Sequence, residues 1–399
     1  MGLRQRFKDE EIIDALECAS NNISQAARDL SKLGHGKVSP AILRYWIQKM
    51  KGTEDAVLEM QFDKTESQKR TAQIENNRLR KITRDVLDSE RTKEEVLEGI
   101  RRAVESLNIR PSHIVAANTN KHGKSMTVEL LFSDLQIGKL MSRYTTEIAV
   151  KRLREYAQVA IQRIQAYIDQ GYNVERIILA SIGDIIESDK KHANSARATD
   201  SGTAAQLADA TTYIVTEVLD PLAQLGIPTD VICVTGNHDH DDHGLVMFKP
   251  GREQLSWPMY HAWKMICEAK GYDHFNFVIP EGAFHVDSIY GYKVLYEHGV
   301  GVAASEASMR KRLADRTKQV KEFITLFRMG DKHNICRFNN DTMVVNGAFF
   351  GDDREGSEFS GICGYDGYPA QIMFAYVPRE DDRRLPIFDS LAIQLGHIV

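Results

Sequence analysis

Cysteine is scarce in this chain. The five residues, Cys18, Cys233, Cys267, Cys336 and Cys363, are odd in number and include no C-x-x-C pair. That excludes a disulfide framework or a cysteine zinc site as the organising element and points to a reducing, cytoplasmic setting. Long hydrophobic runs are also missing. No apolar stretch approaches the roughly 20 residues a membrane-spanning helix requires, so no membrane partner is expected. The opening MGLRQRFKDEE has basic residues but no apolar segment behind them, which argues against a secretory signal. Arg6 stands where a myristoylation site needs Ser or Thr. Proline is absent from residues 53–110, which hold a single glycine, Gly99.

What is present suits a folded protein of two or three domains: 399 residues, 42% hydrophobic and 27% charged. Charge is unevenly spread. Residues 1–125 carry 23 Lys+Arg against 19 Asp+Glu, a balance of +4, whereas residues 126–399 carry 28 against 37, a balance of -9. A basic front attracts phosphate backbones and an acidic back accommodates cations.

Three regions follow from the patterning. In residues 1–52, Ile12, Ala15, Leu16 and Ala19 form one helical stripe, and Ile23, Ala26, Ala27 and Leu30 repeat it. A third helix starts at Ser39-Pro40, where Ser caps free amides and Pro suits the first helical position, and runs through Ile42, Leu43, Trp46, Ile47 and Met50. Residues 53–110, dense in Glu, Lys, Arg and Gln, read as a long helical linker with apolar stripes at Leu79, Ile82, Val86 and at Val96, Ile100, Val104, Leu107. A polar helix of that length needs a partner surface, so a homodimer through 53–110 and a plain spacer are both open. Residues 111–399 form the third region. There, strand-like runs at 128–132, 176–180 and 229–234 alternate with helical ones at 146–169 and 204–225, and β-rich runs follow at 284–286, 292–296, 342–345 and 372–377. This order predicts an α/β (α+β) domain with two sheets flanked by helices.

Metal-binding residue types fall just after the expected strands. Asp134 and Gln136 follow the first run, Asp184 and Glu187 the second, Asn237, His238 and Asp239 the third, and His298 follows the run at 292–296. Strand ends are where open α/β sheets place their sites. Each residue alone is more simply a turn or cap residue; their joint order carries the reading. His192 with Lys190 and Lys191, and His240 with His243, stand in loops that serve either the site or solvent. Arg310, Lys311, Arg312, Arg316, Lys318 and Lys321 lie on an expected helix whose cations could track a phosphate backbone or face water.

Ser133-Asp134-Leu135-Gln136, Gly183-Asp184-Ile185-Ile186-Glu187, Gly236-Asn237-His238-Asp239, Glu297-His298-Gly299 and Gly330-Asp331-Lys332-His333 resemble, in order, the five blocks of the calcineurin-like metallophosphoesterase superfamily. The resemblance spans most of residues 126–350. It implies a two-sheet metallophosphoesterase sandwich and two divalent metal ions bridged by Asp184. One ion would also be held by Asp134, Gln136 and His333, the other by Asn237, His298 and Asp331. His238 would stabilise the transition state or protonate the leaving oxygen, with Asp239 orienting its ring. Gln136 and Asp331 stand where the family has His, and trading imidazole for oxygen shifts preference toward Mn²⁺ or Mg²⁺ and away from Zn²⁺.

Residues 22–30 and 39–50 resemble the helix-turn-helix of Fis-type and transposase-type DNA-binding domains, with a connection longer than the usual turn. The resemblance implies that Arg44, Gln48 and Lys49 face DNA; a small bundle used for assembly is the alternative. Asp134-Leu135-Gln136-Ile137-Gly138 is similar to the D-x-H-x-G form of SbcD-type repair nucleases, so the expected function is a DNA nuclease, plausibly phage-encoded. The alternatives are a phosphatase or nucleotide phosphodiesterase targeted by its front end, and a DNA-binding regulator with a decayed phosphoesterase core.

Overall fold

The structure is a computed structural model. It describes residues 7–33, 37–50, 122–189, 198–239, 251–351, 367–379 and 385–399, with isolated helical positions at 73, 77, 80 and 98. The stripes expected along 53–110 lie outside the described residues. The chain divides into two compact units, Met1–Arg91 and Thr92–Val399.

The first unit contains α1 (Asp9–Cys18), α2 (Ile23–Lys32) and α3 (Pro40–Met50). Ile12, Leu16, Ala26, Ala27, Leu30, Leu43 and Ile47 form its core, as their helical spacing predicts. Asn22 caps α2 by accepting from the Gln25 amide at 3.1 Å, and Ser39 Oγ accepts from Ile42 N at 3.3 Å. The long connection is tied at both ends by one hydroxyl: Ser31 Oγ donates to Ala27 O at 2.6 Å and accepts from Val38 N at 2.9 Å. Val38 is thereby held in the core.

In the second unit a six-stranded sheet runs in the order β11-β10-β1-β2-β3-β4. Its strands are β1 (Lys124–Phe132), β2 (Tyr172–Ile182), β3 (Thr229–Val234), β4 (Phe275–Val278), β10 (Ala370–Tyr376) and β11 (Ile387–Gln394). Strands β1 to β4 are parallel to one another, and β10 is antiparallel to both β1 and β11. The crossovers are helical: α4 (Thr146–Asp169), then α5 (Thr203–Ile214), which passes through a π-helical turn at Val215–Leu219 into α6 (Asp220–Ala223), then α7 (Ser256–Ala269). A second sheet, in the order β5-β6-β7-β9-β8, comprises β5 (Phe284–Ile289), β6 (Tyr292–Glu297), β7 (Leu326–Met329), β8 (Cys336–Phe338) and β9 (Met343–Val345), with α8 (Glu306–Val320) joining β6 to β7.

The sheets pack face to face. Leu131, Ile178, Ala180, Ile232 and Phe374 of the first meet Val294, Tyr296, Leu326 and Val344 of the second. The other face of the first sheet is covered by its helices through Val128, Leu130, Leu153, Tyr156, Leu179 and Trp263. Because both faces are covered, the last seven residues of β1 are consecutively buried, and its sequence is a run rather than an alternation. Along β6, β7 and β9 alternate residues Leu295, Phe327, Met329 and Val345 turn to the α8 side, where Met309 packs.

A fully buried ion pair joins the sheets through their shared core. Glu129 of β1 and Arg328 of β7 are both fully buried, with Arg328 Nε 3.0 Å from Glu129 Oε2. Tyr296 and Tyr376 each donate to Glu129 at 2.5 Å, and Arg328 donates to the Tyr376 hydroxyl at 2.8 Å and to Asp341 O at 2.9 Å. Every charge is therefore satisfied, and removing one partner leaves the other uncompensated. Arg328→Met should destabilise this unit by about 3–5 kcal/mol in urea unfolding, with Glu129→Gln/Arg328→Met losing less than the sum of the single changes. A loss within about 0.5 kcal/mol for Arg328→Met would contradict this account of the pair.

Candidate metal centre

The site is built on the loops that leave the C-terminal ends of β1, β2, β3, β6 and β7. The first two are laced together by backbone bonds: Asp134 N donates to Gly183 O, Gln136 N to Asp184 O and Ile137 N to Ile185 O, all at 2.9–3.1 Å. The Asp331 amide donates to Asp134 Oδ1 at 3.1 Å, and the His238 amide donates to Asp184 Oδ1 at 2.8 Å. Below Asp134, Ser133 is fixed by a buried amide network. Gln371 accepts from Ser133 N at 3.0 Å and donates to Ser133 O at 3.2 Å, while Asn346 donates to Ser133 Oγ at 3.0 Å. Asn346 and Gln371 lie far from the motif blocks in sequence, and no spacing signal marks them.

The backbone here is held in costly conformations. Thirteen described residues other than glycine have positive φ, and Asp134, Gln136, Asp184, Asp331 and His333 are five of them. Left-handed backbone is uncommon outside glycine and less so for Asp and His, so Gln136 is the most atypical of the five, and such strain collects where surroundings over-determine geometry for function. Gly236 and Gly330 make the close approach possible. A Cβ on Gly236 would lie 2.0 Å from Asp184 Oδ1, and one on Gly330 2.4 Å from Asp134 Oδ2.

Asp134, Asp184 and His298 are buried and present ligand atoms within 4.8 Å of one another, a grouping that could hold a metal ion. The donor chemistry supports the fit. His298 Nδ1 lies 2.6 Å from Ile182 O, so it must carry the proton and Nε2 faces the cluster. There Nε2 meets two acceptors, Asn237 Oδ1 at 3.0 Å and Asp184 Oδ2 at 3.1 Å. Asp184 Oδ2 is buried and has no hydrogen-bond partner among the described residues. Lone pairs directed at one another require a positive charge between them. Without a metal a proton serves, and the carboxylates push His298, against the cost of its burial, up to about 10. Burial lifts Asp134 to about 6; burial would lift Asp184 too, but the charges of His298 and His238 hold it well below the usual carboxylate range.

The other expected residues divide. Asn237 joins the cluster, and Asp331 reaches its rim, with Oδ1 3.8 Å from His298 Nε2 and Oδ2 2.6 Å from Lys332 Nζ. His333 Nε2 lies 3.6 Å from Asp134 Oδ1. Gln136 departs from its expected role, because its carboxamide oxygen accepts from Lys139 Nζ at 2.9 Å. Asp239 is a second correction: it does not orient His238. Its Oδ2 accepts from Gly236 N at 2.9 Å and Ser256 Oγ at 2.6 Å, bracing the loop from below. The His238 ring is held by Glu187, with Nδ1 3.0 Å from Glu187 O and 3.3 Å from Glu187 Oε2. Glu187 was legible as part of its motif block, but its pairing with His238 was not.

Four of the cations expected on α8 are held by carboxylates. Arg312 and Arg316 both bind Glu297, at 2.6 and 2.7 Å, while Arg310 pairs with Glu306 and Lys311 with Asp315. These charges pin the end of β6 and the helix surface. Lys190, Lys191, His192, His240 and His243 lie outside the described residues, as does the side chain of Lys49. Arg44 and Gln48 are exposed on α3. Among the described residues no helix is long and apolar enough to cross a membrane.

No family model matches the sequence, and no curated protein matches it. Solved structures do. A novel archaeal phosphodiesterase shares 10% identity over 66% of this chain and 99% of its own, with a TM-score of 0.29. Vacuolar protein sorting 29 from Cryptosporidium parvum shares 13% over 67% and 98%, with a TM-score of 0.30. A serine/threonine phosphatase from Saccharomyces cerevisiae shares 13% over 75% and 89%, with a TM-score of 0.27. Likenesses this loose do not assign the chain to a family, and the reading of the site rests on its own geometry.

The raised Asp134 sets a sign for the metal-free protein. A carboxyl whose folded value of about 6 exceeds its unfolded one of about 4 binds more protons when folded, so it costs stability as pH rises from about 4 to about 6, and the cost stays above that. Asp134→Asn should remove that part of the pH slope in metal-free unfolding curves. An unchanged slope would contradict the burial of an uncompensated carboxylate there.

Proposed function

We propose that this protein is a metal-dependent phosphoesterase of the calcineurin-like type, and that within this class it is a DNA nuclease. The observation that carries the first step is the meeting of Asp134, Asp184, Asn237 and His298 from four separate strand ends, the carboxylate and imidazole ligand atoms lying within 4.8 Å of one another and Asn237 Oδ1 3.0 Å from His298 Nε2. A divalent cation bound there would neutralise phosphoryl oxygens and lower the pKa of an attacking water. The oxygen-rich donor set favours Mn²⁺, with Mg²⁺ or Zn²⁺ as the outcomes to compare.

The chain's own residues do the rest. Asp134 and Asp184 are held by backbone amides in a single geometry, so they hold charge in place without reorganising. His238, its Nδ1 turned to Glu187, directs Nε2 to the carboxylate side, 3.9 Å from Asp184 Oδ2. From there it would give a proton to the departing oxygen. His238→Ala should lower kcat about 10²–10⁴-fold on a phosphodiester such as bis(p-nitrophenyl) phosphate with Mn²⁺, and Asp184→Ala should abolish turnover. Activity untouched in both variants would refute the reading.

For DNA as substrate the support is the basic front and α3, whose exposed Arg44 and Gln48 stand on one helix braced by α2. In the full chain, Arg44→Ala should weaken binding to duplex DNA across sequences and reduce the salt slope by about 1. Cleavage of plasmid or linear DNA with Mn²⁺, absent in Asp184→Ala, separates a nuclease from a phosphatase that prefers p-nitrophenyl phosphate. Binding without any cleavage would favour a regulator with a decayed core.

A further inference from the structure

A cation is already built into the wall of this centre. Lys139 is 8% exposed, and its ammonium lies 2.9 Å from Gln136 Oε1, 3.4 Å from Glu187 Oε2 and 4.6 Å from the centre of the Phe350 ring. An ammonium only donates, so it settles which way the Gln136 carboxamide points. The oxygen faces Lys139, and the NH₂ faces His333 Nε2 at 3.3 Å. His333 Nε2 must then accept from that NH₂. The Gln136 oxygen and His333 Nε2 are thus already engaged, by Lys139 and by the carboxamide NH₂.

The contacts run as a chain that returns to its start. From Asp134 it passes to His333 at 3.6 Å, Gln136 at 3.3 Å, Lys139 at 2.9 Å and Glu187 at 3.4 Å, then to His238 at 3.3 Å and Asp184 at 3.9 Å. Asp184 and Asp134 close it within 4.8 Å. On the side of His298 this ring is lined by acceptors that call for a cation. On the side of Gln136 the positive charge is supplied by the chain itself.

We propose that Lys139 stands in for one of the two metal ions: the centre takes a single divalent ion, held by Asp134, Asp184 and His298, and the Lys139 ammonium provides the charge of the other position. A second divalent ion beside Gln136 would have to displace that ammonium from Gln136 and Glu187 and meet its repulsion. The inference rests on the metal-dependent reading above, and it makes Lys139 a positioning residue whose loss changes metal content as well as rate.

The test is manganese content in the full-length protein, stripped of metal, reloaded and desalted, read by elemental analysis and low-temperature electron paramagnetic resonance. The wild type should hold about one Mn²⁺ per chain and give an isolated-ion spectrum, whereas Gln136→His/Lys139→Met should hold about two and give an exchange-coupled one. Two ions in the wild type would overturn the inference while leaving the phosphoesterase reading intact, and no ion would overturn both. A double variant that is folded by circular dichroism yet keeps one ion would also overturn it. Should that variant fail to fold, the wild-type content still decides the matter.

Discussion

Everything at the strand ends follows from two carboxylates buried side by side. Asp134 and Asp184 have essentially no exposure and lie within reach of a common ion. Two such charges repel strongly away from water, and each pays for its own desolvation. The fold lessens this with aimed amides, those of Asp331 and His238, and with the imidazole of His298. What is left over is an oxygen on Asp184 with no hydrogen bond among the described residues, and its negative potential is what would favour a cation there.

Holding repelling groups together requires a stiff frame, and the frame is continuous with the core. Strands β1 and β2 pair along their whole length, which fixes the register of the loops carrying the two aspartates. The buried Glu129–Arg328 pair locks β1 against β7, so the blocks carried by the two sheets meet without freedom to slide. Ser133, Asn346 and Gln371 then set the height of the Asp134 loop from beneath. Left-handed backbone at five of the site positions is tolerated because each of these ties over-determines it.

Much of this was legible in the sequence. The α4 helix and the β3 strand coincide with their expected bounds, since periodicity and apolar run length are local properties. Asp134, Asp184, Asn237 and His298 were placed together from the order of their blocks. The strands β4, β7, β8 and β11 were not singled out. Three have four residues or fewer, and β11 is largely half-exposed, so its pattern is weak. The pairing of His238 with Glu187 instead of its neighbour Asp239, and the capture of Gln136 by Lys139, depend on side-chain directions that no spacing encodes. The same holds for the cations of α8, whose tie to Glu297 joins residues 15 and 19 positions apart.

The most direct test of the central claim is anomalous diffraction from a crystal of the full chain soaked in manganese. The account predicts a peak among Asp134, Asp184 and His298 Nε2, with Asn237 Oδ1 beside it. A protein that soaks up no ion there, or binds it only at surface carboxylates, would show that the two buried aspartates are neutralised by protons alone and that the centre does not exist.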